Sequence, residues 1–160
     1  MDATEGVNVD GVVSLQSVSS TSSFAAIGPT VAIVSVADPS ASSSVAASNN
    51  GSFAFTTIAP GTYDLIATAS GFAPMQLSNQ VIELTDITVI SGTLSAGLVN
   101  DDEFVNLTDI LLTINAFGTT PSRPDGSGNY VDLNADGFVN LTDILLAISR
   151  FGLSGTQPWQ

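Results

Sequence analysis

The chain has 160 residues, with fifteen Asp or Glu against two arginines, Arg123 and Arg150, and a formal net charge of −13. That balance argues against nucleic acid and anionic membrane as partners and suits a protein that takes up divalent cations. With no cysteine, histidine or lysine, disulfides, thiolate or imidazole metal sites, and Ser-His or Cys-His nucleophile pairs are excluded. The length allows one medium domain or two small ones, and no run approaches the ~18–20 uninterrupted apolar residues of a membrane span. Met1-Asp-Ala-Thr-Glu lacks the basic and apolar regions of a signal peptide. The lysine-free Ser/Thr/Ala/Val/Gly texture is that of a secreted or cell-surface bacterial or archaeal protein.

From Gly6 to about Leu94, short β-branched runs alternate with Gly, Pro, Asn and Ser punctuation. Strands are expected at Val7–Leu15, Thr30–Val36, Ser43–Ala47, Ser52–Ile58, Thr62–Ala69, Met75–Leu77, Val81–Leu84 and Ile87–Leu94. The polar Ser17–Ser23 tract, Asn49-Asn-Gly51, Pro60-Gly61 and Ser70-Gly71 read as breaks. Regular short strands with turn signals predict an antiparallel sandwich. Alternation in Ser52–Ile58 and Thr62–Thr68 gives each strand one buried and one wet face. The run Asn50-Gly-Ser-Phe-Ala-Phe-Thr-Thr-Ile-Ala-Pro-Gly-Thr-Tyr-Asp-Leu-Ile-Ala-Thr-Ala-Ser-Gly-Phe72 resembles the carboxypeptidase-regulatory-like and collagen-adhesin B-type modules, which are transthyretin-like sandwiches. The residues themselves agree: Pro60-Gly61 makes a tight turn, and Tyr63 and Phe72 can anchor the core. Some members carry a Lys–Asn isopeptide, which a lysine-free chain cannot form.

From about Ala96 the texture changes to Asx-rich loops followed by apolar runs of helical period. Leu107, Ile110, Leu111, Ile114 and Phe117 fall on one stripe, as do Leu141, Ile144, Leu145, Ile148 and Phe151. These stripes are expected to face the core, with Gly118 and Gly152 as helix stops. The two segments are near copies 34 residues apart (Asp109 against Asp143), which predicts two loop-helix units related by a pseudo-twofold. The connector Thr119–Val131 reads as a loop, and the tail Leu153–Gln160 has no periodicity, although Trp159 is expected to pack.

The loop Asp132-Leu-Asn-Ala-Asp-Gly-Phe-Val-Asn-Leu-Thr-Asp143 places side-chain oxygens at positions 1, 3, 5, 9 and 12: Asp132, Asn134, Asp136, Asn140 and Asp143. A hard cation such as Ca²⁺ wants about six to eight oxygens, and a curling loop supplies alternate residues plus the backbone carbonyl of position 7, Phe138. Gly137 permits the sharp turn at position 6. The first copy keeps Asn100, Asp102, the Phe104 carbonyl, Asn106 and Asp109. It has Leu98 at position 1 and Glu103 at position 6, so it loses its opening ligand and strains its turn. One Ca²⁺ is therefore expected in the second loop, while the first either binds a second ion or leaves Asp101, Asp102 and Glu103 as a surface acidic cluster.

Asp at position 12, with no helix entering the loop, departs from the EF-hand, which prefers Glu. The duplicated segments Ala96–Asp109 and Val131–Asp143 resemble the dockerin module instead. The resemblance implies Ca²⁺-dependent folding and non-covalent docking onto a β-sandwich partner of cohesin type. By the same analogy the docking residues are Thr108, Leu112, Thr142, Leu146 and Arg150. Two alternatives stay open: Leu112 and Leu146 pack on the adjoining sandwich, or Thr108 and Thr142 cap their helices. Asn50-Gly-Ser52 has the form of a glycosylation sequon.

Carboxylates outside the loops (Asp10, Asp38, Asp64, Glu83, Asp86) are scattered singly, and Asp125-Gly-Ser-Gly-Asn129 is not followed by the Lys and helix of a phosphate loop. No catalytic residue is expected. The sequence thus predicts two domains: an all-β antiparallel sandwich over 1–95, then a small helical pair with calcium loops over 96–153 and a tail over 154–160. The expected role is a non-catalytic extracellular assembly protein that docks on a cohesin-like sandwich or, head to tail, on another copy of itself. The alternative is an adaptor appendage of a secreted enzyme or cellulosome-like complex.

Overall fold

The computed structural model describes residues 6–89 and 91–160. Met1–Glu5, and Ile90 within the expected strand Ile87–Leu94, lie outside the described residues. In chain order the elements are β1 (Val7–Leu15), α1 (Thr21–Ile27), β2 (Thr30–Ser35), β3 (Ser42–Ala46), β4 (Ser52–Ile58), β5 (Gly61–Ala69), β6 (Phe72–Ile82), β7 (Ile87–Thr88), β8 (Gly92–Ala96), α2 (Leu107–Asn115), α3 (Leu141–Ser149) and β9 (Gln157–Pro158).

Period-two patterning builds the strands. β1 buries Val7, Val9, Val13 and Leu15 on one face and leaves Val12 and Ser14 on the other, and β4 does the same with Phe53 and Phe55. β6 is one long strand where two short ones were expected. At Asn79 its backbone takes a left-handed φ of 56°, and Asp64 of β5 holds the irregularity through Asn79 N–H (2.8 Å) and Gln76 Nε2 (2.8 Å). The polar tract expected as a plain break contains α1. Ser20 caps it by accepting from Ser23 N–H, Gly28 closes it at φ 63°, and Phe24 is its buried residue. The cue was present in the sequence: Ser before, Gly after, and Phe24 and Ile27 three apart.

The strands form one nine-stranded sheet in the order β3-β2-β5-β6-β8-β1-β4, with β7 added on β1 and β9 on β6. It curls towards a barrel until its edges, β3 and β4, approach each other, and Ser48 N–H bonds the Ser52 carbonyl across the turn between them at 2.8 Å. This corrects the expected fold class of an all-antiparallel sandwich followed by a separate helical pair. The pairings β1–β7, β1–β8 and β6–β9 are parallel. The helical segment also shares the core of the sheet: Val99, Val131, Leu133, Val139, Leu146 and Ala147 lie in one cluster with Val9, Val31, Phe53, Leu65, Met75 and Leu94. The aperiodic tail returns as β9, and Trp159 enters that core edge-on to Phe53 at 6.2 Å between ring centroids. The physical reason is register. Parallel pairing between strands far apart in sequence leaves no local periodicity to read, and a two-residue strand has none at all.

Candidate functional site

The two loop-helix units are built alike, bond for bond. Asn106 and Asn140 are the N-caps of α2 and α3, each accepting from the residue two later, Thr108 N–H and Thr142 N–H, at 2.7 Å. Asp109 and Asp143 complete capping boxes, accepting from Asn106 N–H (2.8 Å) and Asn140 N–H (2.9 Å). Such a box satisfies backbone donors that the first helical turn leaves free. The caps are thus the asparagines, not Thr108 and Thr142.

The same carboxylates reach back to the start of their loops. Asp143 also accepts from Leu133 N–H (2.8 Å) and Asn134 N–H (3.2 Å), and Asp109 from Val99 N–H (2.8 Å) and Asn100 N–H (3.4 Å). Both aspartates are 0% exposed. Each therefore staples loop start to helix start, a role that spacing alone did not reveal. A pseudo-twofold follows from reciprocal bonds between repeats. Val139 exchanges bonds with Gly118 and Thr119 (both 2.9 Å), and Val105 with Gly152 and Leu153 (both 2.8 Å).

In the second loop, Asp132 accepts from Asp136 N–H (3.2 Å) and Gly137 N–H (2.9 Å), and Asp136 accepts from Phe138 N–H (2.9 Å). Asn134 and Asn140 turn their amides onto Asp136 and the Phe138 carbonyl. Asp132 is 4% exposed. Burial pushes its carboxyl above the ordinary 3.8, with Asp143 and Asp136 adding to the rise and the Gly137 N–H opposing it. The expected ligands Asp132, Asn134, Asp136, Phe138, Asn140 and Asp143 thus line one turn of chain.

The first loop repeats the backbone despite its sequence flaws. Asp101 and Glu103 take φ of 59° and 74°, matching Ala135 at 53° and Gly137 at 89°. A side chain in that region costs about 1 kcal/mol relative to glycine. Leu98, at the position of Asp132, is buried with Ala73 and Val105, so a ligand position has become a packing position. Asn100, Asp102, Phe104, Asn106 and Asp109 keep the arrangement: Asn100 Nδ2 donates to Asp102 (2.7 Å), and Phe104 N–H to Asp102 (3.1 Å).

Do these loops suit a cation? Asn100 Oδ1 is buried and has no hydrogen-bond partner among the described residues, and an orphaned buried acceptor is what a cation would satisfy. Among the described residues no three His, Cys, Asp or Glu side chains gather as a ready-made metal cluster. The oxygens here are mixed carboxylate, amide and backbone carbonyl, the donors a hard cation takes. The residues fit Ca²⁺.

The helix faces reverse the expectation. Leu107, Leu111, Ile114 and Phe117, and Leu141, Leu145, Ile148 and Phe151, are 44 to 61% exposed. Inward instead go Asp109 and Thr113 of α2 and Asp143, Leu146 and Ala147 of α3. Ile110, Leu112 and Ile144 are half-buried. Of the residues expected at a docking face, Thr108 and Thr142 are exposed, Leu112 is half-buried and Leu146 is in the core at 9% exposure. Arg150 is half-buried and donates through Nε to Gln16 at 3.0 Å. Period locates the apolar stripe but cannot say whether anything covers it; the staples that bury Asp109 and Asp143 turn the opposite side of each helix inward.

Residues 96–152 match the model of the dockerin type I domain. No curated protein matches the chain. Among solved structures, the chain is similar to one from a type II cohesin–X-dockerin complex of Acetivibrio cellulolyticus carrying an N-terminal interface mutation. The TM-score is 0.73 at 22% identity, over 94% of this chain and 98% of that one. The C-terminal interface mutant of the same complex gives 0.74 at 23%, with the same coverage. At such identities the likeness is one of fold, and it spans sheet and dockerin segment together.

Proposed function

We propose that this chain is a non-catalytic, secreted docking protein whose dockerin segment holds a cohesin-like β-sandwich partner without covalent bonds. The observation that carries the reading is the outward apolar stripe, repeated on α2 and α3. Eight large apolar side chains stand in solvent there (Leu107, Leu111, Ile114, Phe117, Leu141, Leu145, Ile148 and Phe151), flanked by exposed Phe104 and Phe138. Exposed large apolar side chains in that number, at helical spacing on two packed helices, support an interaction site. The helices add no exposed carboxylate to it, since Asp109 and Asp143 are buried. That suits an apolar sheet face as partner more than a salt-bridged one. Thr108 and Thr142 lie at the rim and supply hydroxyls.

Calcium is the structural element of this reading. Asp132, Asn134, Asp136, the Phe138 carbonyl, Asn140 and Asp143 would hold one ion; Asn100, Asp102, the Phe104 carbonyl, Asn106 and Asp109 would hold a second. Bound Ca²⁺ supplies positive charge to crowded carboxylates and fixes the loops from which the helices spring. The support is the dockerin match, the donor set and the buried orphan oxygen at Asn100.

Surface binding to an immobilised cohesin-type sandwich, in Ca²⁺ and then in chelator, tests the proposal. Binding that chelator abolishes, and that Leu111→Asp with Leu145→Asp abolishes in Ca²⁺, is the expected result. Undiminished binding by that double variant would overturn the assigned face. Analytical ultracentrifugation of the chain alone separates partner from self: a net charge of −13 opposes self-association, and a monomer is expected.

A further inference from the structure

Both arginines of this cation-poor chain are committed inside the fold, and Arg123 occupies an unusual position. Its Nη1 donates to the Asp132 carbonyl at 2.6 Å and its Nη2 to the Ser70 carbonyl at 3.1 Å. The guanidinium lies over the rings of Tyr130 (5.1 Å) and Phe72 (5.5 Å). One side chain thus spans the second loop and the β5–β6 turn. Space is made for it: Gly71 has φ +82°, and a Cβ there would come within 2.8 Å of both Arg123 Nη2 and Tyr130 Cβ.

The carbonyl that Arg123 grips belongs to the peptide group whose other end is Leu133 N–H. A peptide group is rigid and planar, so holding the carbonyl aims the N–H, which donates to Asp143 at 2.8 Å. A second tether repeats the device. Ser23 Oγ of α1 donates to the Ala135 carbonyl at 2.7 Å, and the N–H of that same peptide, from Asp136, donates to Asp132 (3.2 Å) and Asn134 (3.1 Å). Gly71 N–H meets Asp101 of the first loop at 3.4 Å. Two of the peptide groups that orient candidate ligands in the second loop are therefore held from outside it, one through Arg123 and one through Ser23 of α1.

We propose that Arg123 is a positioning residue for the second loop, fixing the Asp132–Leu133 peptide against the Ser70–Gly71 turn so that cation binding and sheet packing are coupled. The inference rests on the calcium reading above. Partners that orient a ligand without touching the ion typically carry about 10- to 100-fold in metal affinity. Arg123→Lys isolates the geometry, because lysine keeps the charge but cannot fork between two carbonyls while lying on two rings.

The test is isothermal titration of full-length protein with Ca²⁺, together with amide exchange of the wild type in Ca²⁺ and in chelator. Arg123→Lys is expected to weaken Ca²⁺ binding by about tenfold or more, and Ser23→Ala to weaken it in the same direction. Ca²⁺ is expected to slow exchange of the Gly71 amide in the wild type. An unchanged dissociation constant in Arg123→Lys, with a melting temperature lowered equally in Ca²⁺ and in chelator, would reduce Arg123 to a packing residue and overturn the proposal. If that variant does not fold, Gly71 exchange in the wild type decides alone, and indifference to Ca²⁺ rejects the coupling. A wild type that takes up no Ca²⁺ would reject the calcium reading itself, a separate outcome.

Discussion

Asp132 and Asp143 stand on the same loop and are held differently. Asp143 accepts three backbone N–H groups at 0% exposure, so it organises the loop whether or not an ion is present. Asp132 is buried beside Asp136 and Asp143, and its carboxyl is raised above 3.8 first by that burial. A carboxyl raised in the folded state binds its proton more tightly there than in the unfolded chain. The stability it contributes is complete below the unfolded value and is lost as pH rises through the raised one. In chelator, the melting temperature of the wild type should therefore fall more steeply, relative to that of Asp132→Asn, as pH rises from about 4 towards neutrality; parallel curves would refute this. With Ca²⁺ at about a hundredfold over its dissociation constant, the ion should add about 2.7 kcal/mol at neutral pH. Thermal melts of Asp132→Ala should show most of that Ca²⁺-induced rise gone.

At the scale of elements, α2 and α3 turn their apolar stripe outward and the opposite side inward. Leu145 is exposed and Leu146, its neighbour, is in the core. Leu146→Ala should cost about 2–3 kcal/mol of stability by denaturant titration. Leu145→Asp should shift stability by no more than about 0.5 kcal/mol, yet weaken docking. The reverse pattern would mean that the helices face the other way. The helices and the duplication were legible from spacing; the asparagine caps were not, because spacing reads Asn106 and Asn140 as cation ligands. Nor was the inward face, because period locates an apolar stripe without saying whether the core or solvent lies against it.

For the whole molecule, the shared core is decisive. Val99, Leu133, Val139 and Ala147 of the dockerin segment pack in one cluster with the strands, and the C-terminal β9 lies against β6 while Trp159 meets Phe53. The chain should therefore melt in a single cooperative step by calorimetry, with near- and far-ultraviolet dichroism coincident; two separated transitions would contradict this. Trp159→Ala should lower stability by about 3–5 kcal/mol and depress the melting of sheet and helices together.

What the sequence determined by itself is local and repetitive. It specified the alternation of the strands, the two copies of a cation-type loop each followed by a helix, and the absence of thiol, imidazole and amine chemistry. Each of these is written within a dozen residues, where backbone geometry turns spacing directly into position. Tertiary structure decided the rest: the curling of one mixed sheet, the return of the tail, the outward stripe, and the bridge from Arg123 to the Asp132 and Ser70 carbonyls. Those depend on which distant segments lie side by side, and such pairing follows from the packing of the whole core, which no local pattern encodes.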